Sequence, residues 1–173
     1  AQQLEDNTAH TIAVFGHRPP ELGGYGENST TLSIRRRMIE LLRAKSQMHS
    51  DLQVVTGLGL GAEMLGAEAA AAAAVPYRVI LAFDGMEKRW PDATQKRFQE
   101  LLSAALSITV ASDETPNTGD QFGKAMGRRD DAIIRIADEA IVVRDPKDRT
   151  LGALQKKLEQ QFEEDVWIIE PDQ

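Results

Sequence analysis

The sequence predicts one doubly wound α/β domain, with a mainly parallel sheet of about six strands and helices on both faces. Six short apolar, β-rich runs recur along the chain: Thr11–Phe15, Leu52–Thr56, Tyr77–Phe83, Ser107–Ala111, Ala140–Arg144 and Val166–Ile169. Between them lie segments of helical periodicity, and strands that alternate with helices form parallel sheets covered on both sides. Size agrees, because 173 residues suffice for one ordinary core. No repeat, linker or low-complexity tract divides the chain. Residues 1–10 are expected to form a flexible N-terminal segment and residues 11–173 the domain.

The elements follow in order. Ile34, Met38, Leu41 and Leu42 recur at helical spacing behind Asn28, Ser29 and Thr30, any of which can cap a helix start. Ala62 to Ala74 is rich in alanine without a breaker before Pro76, which predicts a tightly packed helix. Phe98, Leu101, Leu102 and Ala105 mark a third helix behind the capping residue Asp92. The fourth carries Phe122, Met126, Arg129, Ile133 and Ile136 behind Thr118, and the fifth Leu151, Leu154, Leu158 and Phe162 behind Thr150.

Composition excludes several functions. The formal charge is −7, from 20 basic and 27 acidic side chains, and there is no cysteine. A disulfide framework and thiolate chemistry are therefore absent. A sequence-independent grip on nucleic acid needs a basic surface, so a nucleic-acid partner is not expected. The longest apolar stretch, Ala67 to Val75, is far short of the ~20 residues of a membrane helix. The first residues, Ala1 to Asn7, are polar and acidic and do not have the pattern of a secretory leader. A cytoplasmic binder of small molecules, without a membrane partner or a resident cofactor, is the expectation.

Ligands in such sheets bind beyond the carboxyl ends of the strands, and two loops there are unusual. The first runs Gly16-His17-Arg18-Pro19-Pro20-Glu21-Leu22-Gly23-Gly24-Tyr25-Gly26. Glycine admits close backbone approach, and Arg18 offers a fork of donors to phosphate or carboxylate. The second, Thr56-Gly57-Leu58-Gly59-Leu60-Gly61-Ala62-Glu63, places alternate glycines between a strand and a helix. Bare amides and the positive helix end make an anion site there, although close helix–strand packing would also favour Gly61 and Gly66. Gly57, Gly59 and Ala62 also fit the relaxed dinucleotide fingerprint, with Asp84 ending the next strand. That turn, however, follows the second strand rather than the first.

Arg129 sits near the centre of an apolar helix face, so it needs a carboxylate, carbonyls or a ligand anion. Asp130 and Asp131 are nearby alternatives to the ligand anion. Glu63, in the first helical turn, is the best candidate acid, base or ribose acceptor, or it simply complements the helix dipole. Trp90 and Tyr25 are candidates to stack on a base. Three dispersed histidines do not make a metal site.

These motifs resemble those of the YpsA-type family. Gly16 to Tyr25 is similar to its first-strand signature, and Thr56 to Glu63 to its strand-two motif Ser/Thr-Gly-x-x-x-Gly-x-Asp/Glu. Glu87-Lys88-Arg89-Trp90, Gln121-Phe122 and Asp145-Pro146 resemble shorter family signals, all colinear between about Thr11 and Gly152. The family belongs to the SLOG superfamily of Rossmann-like domains, with DprA and the LOG phosphoribohydrolases. The resemblance implies a nucleotide or NAD-derived ligand, such as ADP-ribose or a nucleoside monophosphate, held between the two glycine loops by a sensor or carrier. The implied site comprises Gly16, His17, Arg18, Pro19, Gly24, Tyr25, Thr56, Gly57, Gly59, Gly61, Glu63, Trp90, Arg129 and Asp145. N-glycoside hydrolysis of the LOG type is the alternative, with Glu63 as catalytic residue; a purely structural module is another. The LOG segment Pro-Gly-Gly-x-Gly-Thr-x-x-Glu is here Arg144-Asp145-Pro146-Lys147-Asp148-Arg149-Thr150-Leu151-Gly152, without the glycine turn or the glutamate. The Ala-rich helix offers a face for homo-oligomer packing as readily as for its own sheet.

Overall fold

A computed structural model describes residues 9–171; most of the expected N-terminal segment, residues 1–8, lies outside them. Six strands form one all-parallel sheet. They are β1 (Thr11–Gly16), β2 (Gln53–Thr56), β3 (Tyr77–Phe83), β4 (Ser107–Ser112), β5 (Glu139–Val143) and β6 (Val166–Ile169). Their order across the sheet is β4-β3-β2-β1-β5-β6. The helices are α1 (Ser29–Met48), α2 (Ala62–Ala72), α3 (Asp92–Ser103), α4 (Gly119–Ile136) and α5 (Gly152–Phe162), with a short 3₁₀ turn at Pro19–Leu22.

The period-two alternation of the strands sorts the core into two layers. Ile12 and Val14 of β1 face one way, with Val54, Val79 and Ile141, and meet Ile34, Met38 and Leu42 of α1, Ala67 and Ala70 of α2 and Phe98 of α3. Ala13 and Phe15 face the other way, with Val55, Ile80 and Val142, and meet Ile133 and Ile134 of α4 and Leu158 and Phe162 of α5. Each of these side chains larger than alanine contributes roughly 1.5–3 kcal/mol by leaving water. Gly66 permits the closest of these contacts, because a Cβ there would lie 2.7 Å from Cγ1 of Val14. The two edge strands are the exceptions, β4 leaving Ile108 and Val110 exposed and β6 leaving Trp167 and Ile168.

Asn28 caps α1 through a reciprocal box, its side chain accepting from the Thr31 amide while the Thr31 hydroxyl accepts from the Asn28 amide. The Thr118 hydroxyl caps α4 by accepting from the Gln121 amide. Two expected caps are corrected: Asp92 is the first residue of α3, and Pro91 and Leu151 precede α3 and α5 without any side-chain cap. The alanine helix ends at Ala72 rather than Ala74, since Ala74 turns left-handed (φ 58°) to release the chain toward Pro76. That helix packs on α1, β1 and β2 of its own chain, which buries Ala62, Ala67, Ala69 and Ala70 and leaves Ala71 and Ala72 exposed. Among the described residues no helix is long and apolar enough to cross a membrane.

Candidate functional site

The order of strands reverses between β1 and β5, and the loops that leave β1, β2 and β3 cluster beside this switch point. His17 ties the first loop to the start of α2 and to the end of β5. Its amide donates to the Val143 carbonyl (3.0 Å), its carbonyl accepts from the Ala62 amide (3.0 Å), and its Nε2 accepts from the Asp145 amide (3.0 Å). The residue is 2% exposed. With the Nε2 lone pair engaged, the neutral ring carries its proton on Nδ1. His17, Glu21 and Asp148 approach within 4.8 Å of one another, but that tautomer leaves no ring lone pair for a cation. Asp145 is thereby placed on the β5 side, where its Oδ1 accepts from the Lys147 amide (2.9 Å).

The second loop is held from beneath. The Thr56 hydroxyl donates to the Glu63 carbonyl (2.9 Å) and accepts from the Leu58 amide (3.2 Å). Leu58, fully buried, adopts φ 54°, a conformation that a non-glycine residue holds only when its surroundings impose it. Gly61, at φ 90°, has no room for a side chain: a Cβ would lie 2.4 Å from the His17 carbonyl oxygen. The result is an uncapped start to α2. The amides of Leu60, Gly61, Glu63 and Met64 have no acceptor among the described residues, and these are the groups that attract an anion.

Arg129 lies directly under the turn at 2% exposure. Its Nη1 and Nη2 donate to the two oxygens of Glu63 (2.8 and 3.0 Å), while Nε and Nη2 donate to Asp130 (3.0 and 2.8 Å). Glu63 Oε1 also accepts from the Gly59 amide (3.0 Å). Burial opposes the charge of Arg129, yet the attraction of Glu63 and Asp130 outweighs it and holds the guanidinium pKa above its ordinary value. Burial pushes the Asp130 carboxyl up, against the pull of Arg129. The ligand anion considered for Arg129 is thus replaced by two carboxylates, one of them 66 residues away. A Cβ on Gly57 would meet Arg129 Nη1 at 2.4 Å, so this glycine seats the guanidinium.

A cavity of about 80 Å³ opens above the turn. Gly16, the exposed Arg18, Gly59, Leu60 and Glu63 form its inner end, and Phe83, Met86, Trp90, Phe122 and Met126 its outer wall. Pro19, Gly24, Tyr25 and Gly61 line a smaller adjoining pocket, joined through Leu60. Tyr25 is 52% exposed. Trp90 meets Phe98 edge to face, centroids 5.3 Å apart. The structure therefore brings Gly16, Arg18, Gly59, Glu63 and Trp90 to one cavity, while His17, Thr56, Gly57 and Arg129 support it and Asp145 does not line it. Phe83, Met86 and Met126 are site residues that the sequence did not single out. For Met126 the available signal was the apolar stripe of α4 continuing, with Phe122, past the ends of the strands; Phe83 and Met86 lie off that helix.

The YpsA family model, described as the YspA SLOG family, matches residues 12–173. No curated protein sequence matches. Among solved structures, DNA processing protein A from Helicobacter pylori, described with a single-stranded DNA binding mode, is similar at TM-score 0.60 and 16% identity. It is covered to 67%, using 95% of this chain. DprA from Streptococcus pneumoniae is similar at TM-score 0.59 and 19% identity, with 52% of it covered by 95% of this chain. The chain thus spans between half and two-thirds of these proteins.

Proposed function

The chain belongs to the YpsA family of SLOG domains, and from that premise we propose that it binds a nucleotide or NAD-derived molecule in the cleft between the first two loops, as a sensor or carrier. The observation that carries this reading is the uncapped start of α2, whose unbonded amides lie beside a cavity shared with Arg18 and an aromatic wall. A phosphate on the amides and Arg18 gains charge-assisted hydrogen bonds, and a base gains contact with Trp90 and Phe122.

Binding is favoured over N-glycoside hydrolysis by the state of Glu63. Both its oxygens accept from Arg129 and one from Gly59, so it holds the turn rather than standing free to activate water. The single-stranded DNA named for the Helicobacter protein is a second reading. The −7 charge favours a discrete nucleotide over a strand. Thermal-shift measurements with AMP, ADP-ribose and NAD test this. Stabilisation that Arg18→Ala reduces is expected; no shift with any of them at millimolar concentration overturns it. Release of free base, lost in Glu63→Gln, would establish the hydrolase instead.

A further inference from the structure

Beyond the cavity lies a much larger groove. It encloses about 680 Å³ against about 80 Å³, and the two share Phe83, Met86, Trp90 and Phe122. The inner volume takes only a few water-sized groups, at about 30 Å³ for each water of liquid, whereas sites for whole small ligands span about 300–1,000 Å³. A nucleotide whose phosphate lies on the glycine turn must therefore carry its base across the shared aromatic wall and into the groove.

There the chemistry changes. Lys88 and Arg89 line the groove and are exposed. Neither joins a salt bridge among the described residues, and no acidic residue lines the groove. The turn that carries them is fixed, because the Gln95 side-chain amide donates to the carbonyls of Lys88 (3.3 Å) and Trp90 (2.8 Å). The Lys88 stem lies against Gly85, where a Cβ would sit 2.8 Å from its Cε. In a chain of net charge −7, two unpaired cations beside two aromatic rings mark a position for a second anion.

Resting on the nucleotide reading above, we infer that this groove is the outer half of the ligand site: it stacks the base against Trp90 and Phe122 and holds, on Lys88 and Arg89, a second phosphate attached beyond the nucleoside. That phosphate has two chemical sources, a 3′-monoester on the same sugar or the phosphodiester leading to a second nucleoside.

Isothermal titration of the full chain with AMP, adenosine 3′,5′-bisphosphate and the 5′-phosphorylated dinucleotide pApA tests the inference. At least one of the last two is expected to bind about tenfold or more tightly than AMP, and which one identifies the source. The double variant Lys88→Ala/Arg89→Ala is expected to erase that advantage while the AMP affinity stays unchanged. Equal affinities for all three ligands overturn the inference and leave the nucleotide reading intact, whereas no binding by any of them overturns both. Affinity for 5′-phosphorylated oligo(dA) that keeps rising beyond two residues overturns it in favour of a strand-binding surface. The wild-type comparison stands without the variant, so a folding defect in the double variant does not remove the test.

Discussion

Two buried charge clusters occupy opposite ends of the sheet and do different work. At the carboxyl end, Arg129 joins Glu63 and Asp130 beneath the glycine turn. At the amino end, Glu139 of β5, 3% exposed, accepts from His10 (2.6 Å) and from Trp167 (2.8 Å) and pairs with Lys45 (2.6 Å). Lys45 also lies 4.3 Å from the Trp167 ring centre, and the His10 ring stacks on His49 at 3.6 Å. The lower cluster clamps α1 and the starts of β1, β5 and β6, and none of the three cavities described above reaches it. The upper one has the same ingredients but holds up a loop whose amides are left unbonded. A buried ion pair therefore indicates function only through what it leaves open beside it.

The comparison can be broken most strongly at Arg129. Arg129→Met abandons the buried Glu63 and the half-buried Asp130 and is expected to cost about 3–5 kcal/mol, read from urea unfolding; a cost under about 1 kcal/mol would show that the cluster is dispensable. Gly61→Ala is expected to cost about 2–4 kcal/mol, combining a left-handed backbone with a contact that must shift. It should also abolish nucleotide-dependent thermal stabilisation, since the turn and the cavity move together. At the lower end, Glu139→Gln should cost roughly 1–3 kcal/mol and leave any nucleotide response unaltered; a changed response would show the two ends to be coupled.

Titration sharpens the contrast. Burial opposes ionisation of Glu139, but hydrogen bonds from Lys45, His10 and Trp167 outweigh it and hold the carboxyl below its ordinary 4.5. A depressed acid contributes stability in full above its unfolded pKa, and that contribution is lost as pH falls through the lower folded value. Unfolding free energies of wild type and Glu139→Gln should therefore converge below pH 4.5 and stay apart above it. The smallest effect on stability is expected for the exposed Arg18→Ala, within about 0.5 kcal/mol. Its nucleotide affinity should nevertheless fall by about tenfold, the reverse of the Glu139 pattern.

Strand positions were legible to within about a residue because burial on both faces imposes continuous apolar runs such as Val54-Val55 and Val79-Ile80-Leu81. The cap Thr118 was legible, and that of α1 was narrowed to Asn28, Ser29 or Thr30, because a cap bonds an amide only three residues away. Asp92 and Thr150 misled, since a favoured residue type does not fix which residue takes the extended backbone before a helix. Arg129 stood out as a cation on an apolar face, but helical periodicity is silent about partners. Glu63 comes from another element, and only the packing of α4 against the sheet opposite α2's layer brings the two together beneath the turn. The groove escaped notice for a similar reason: Lys88 and Arg89 look like an ordinary polar loop until the start of α4 stands across from them.

The central position of β1 has a kinetic consequence. Its pairing with β2 closes over about 40 residues, but its pairing with β5 joins Ile12 to Glu139. Until β5 arrives, a nascent four-stranded sheet β4-β3-β2-β1 presents β1, with Ala13 and Phe15, as an open edge. Contacts of such sequence separation slow folding and prolong that exposure. Glu63 passes through the same interval without its cation, because Arg129 enters only with α4. Ordering of the glycine turn is thus expected to be among the last events in folding, following the closure of the sheet rather than seeding it.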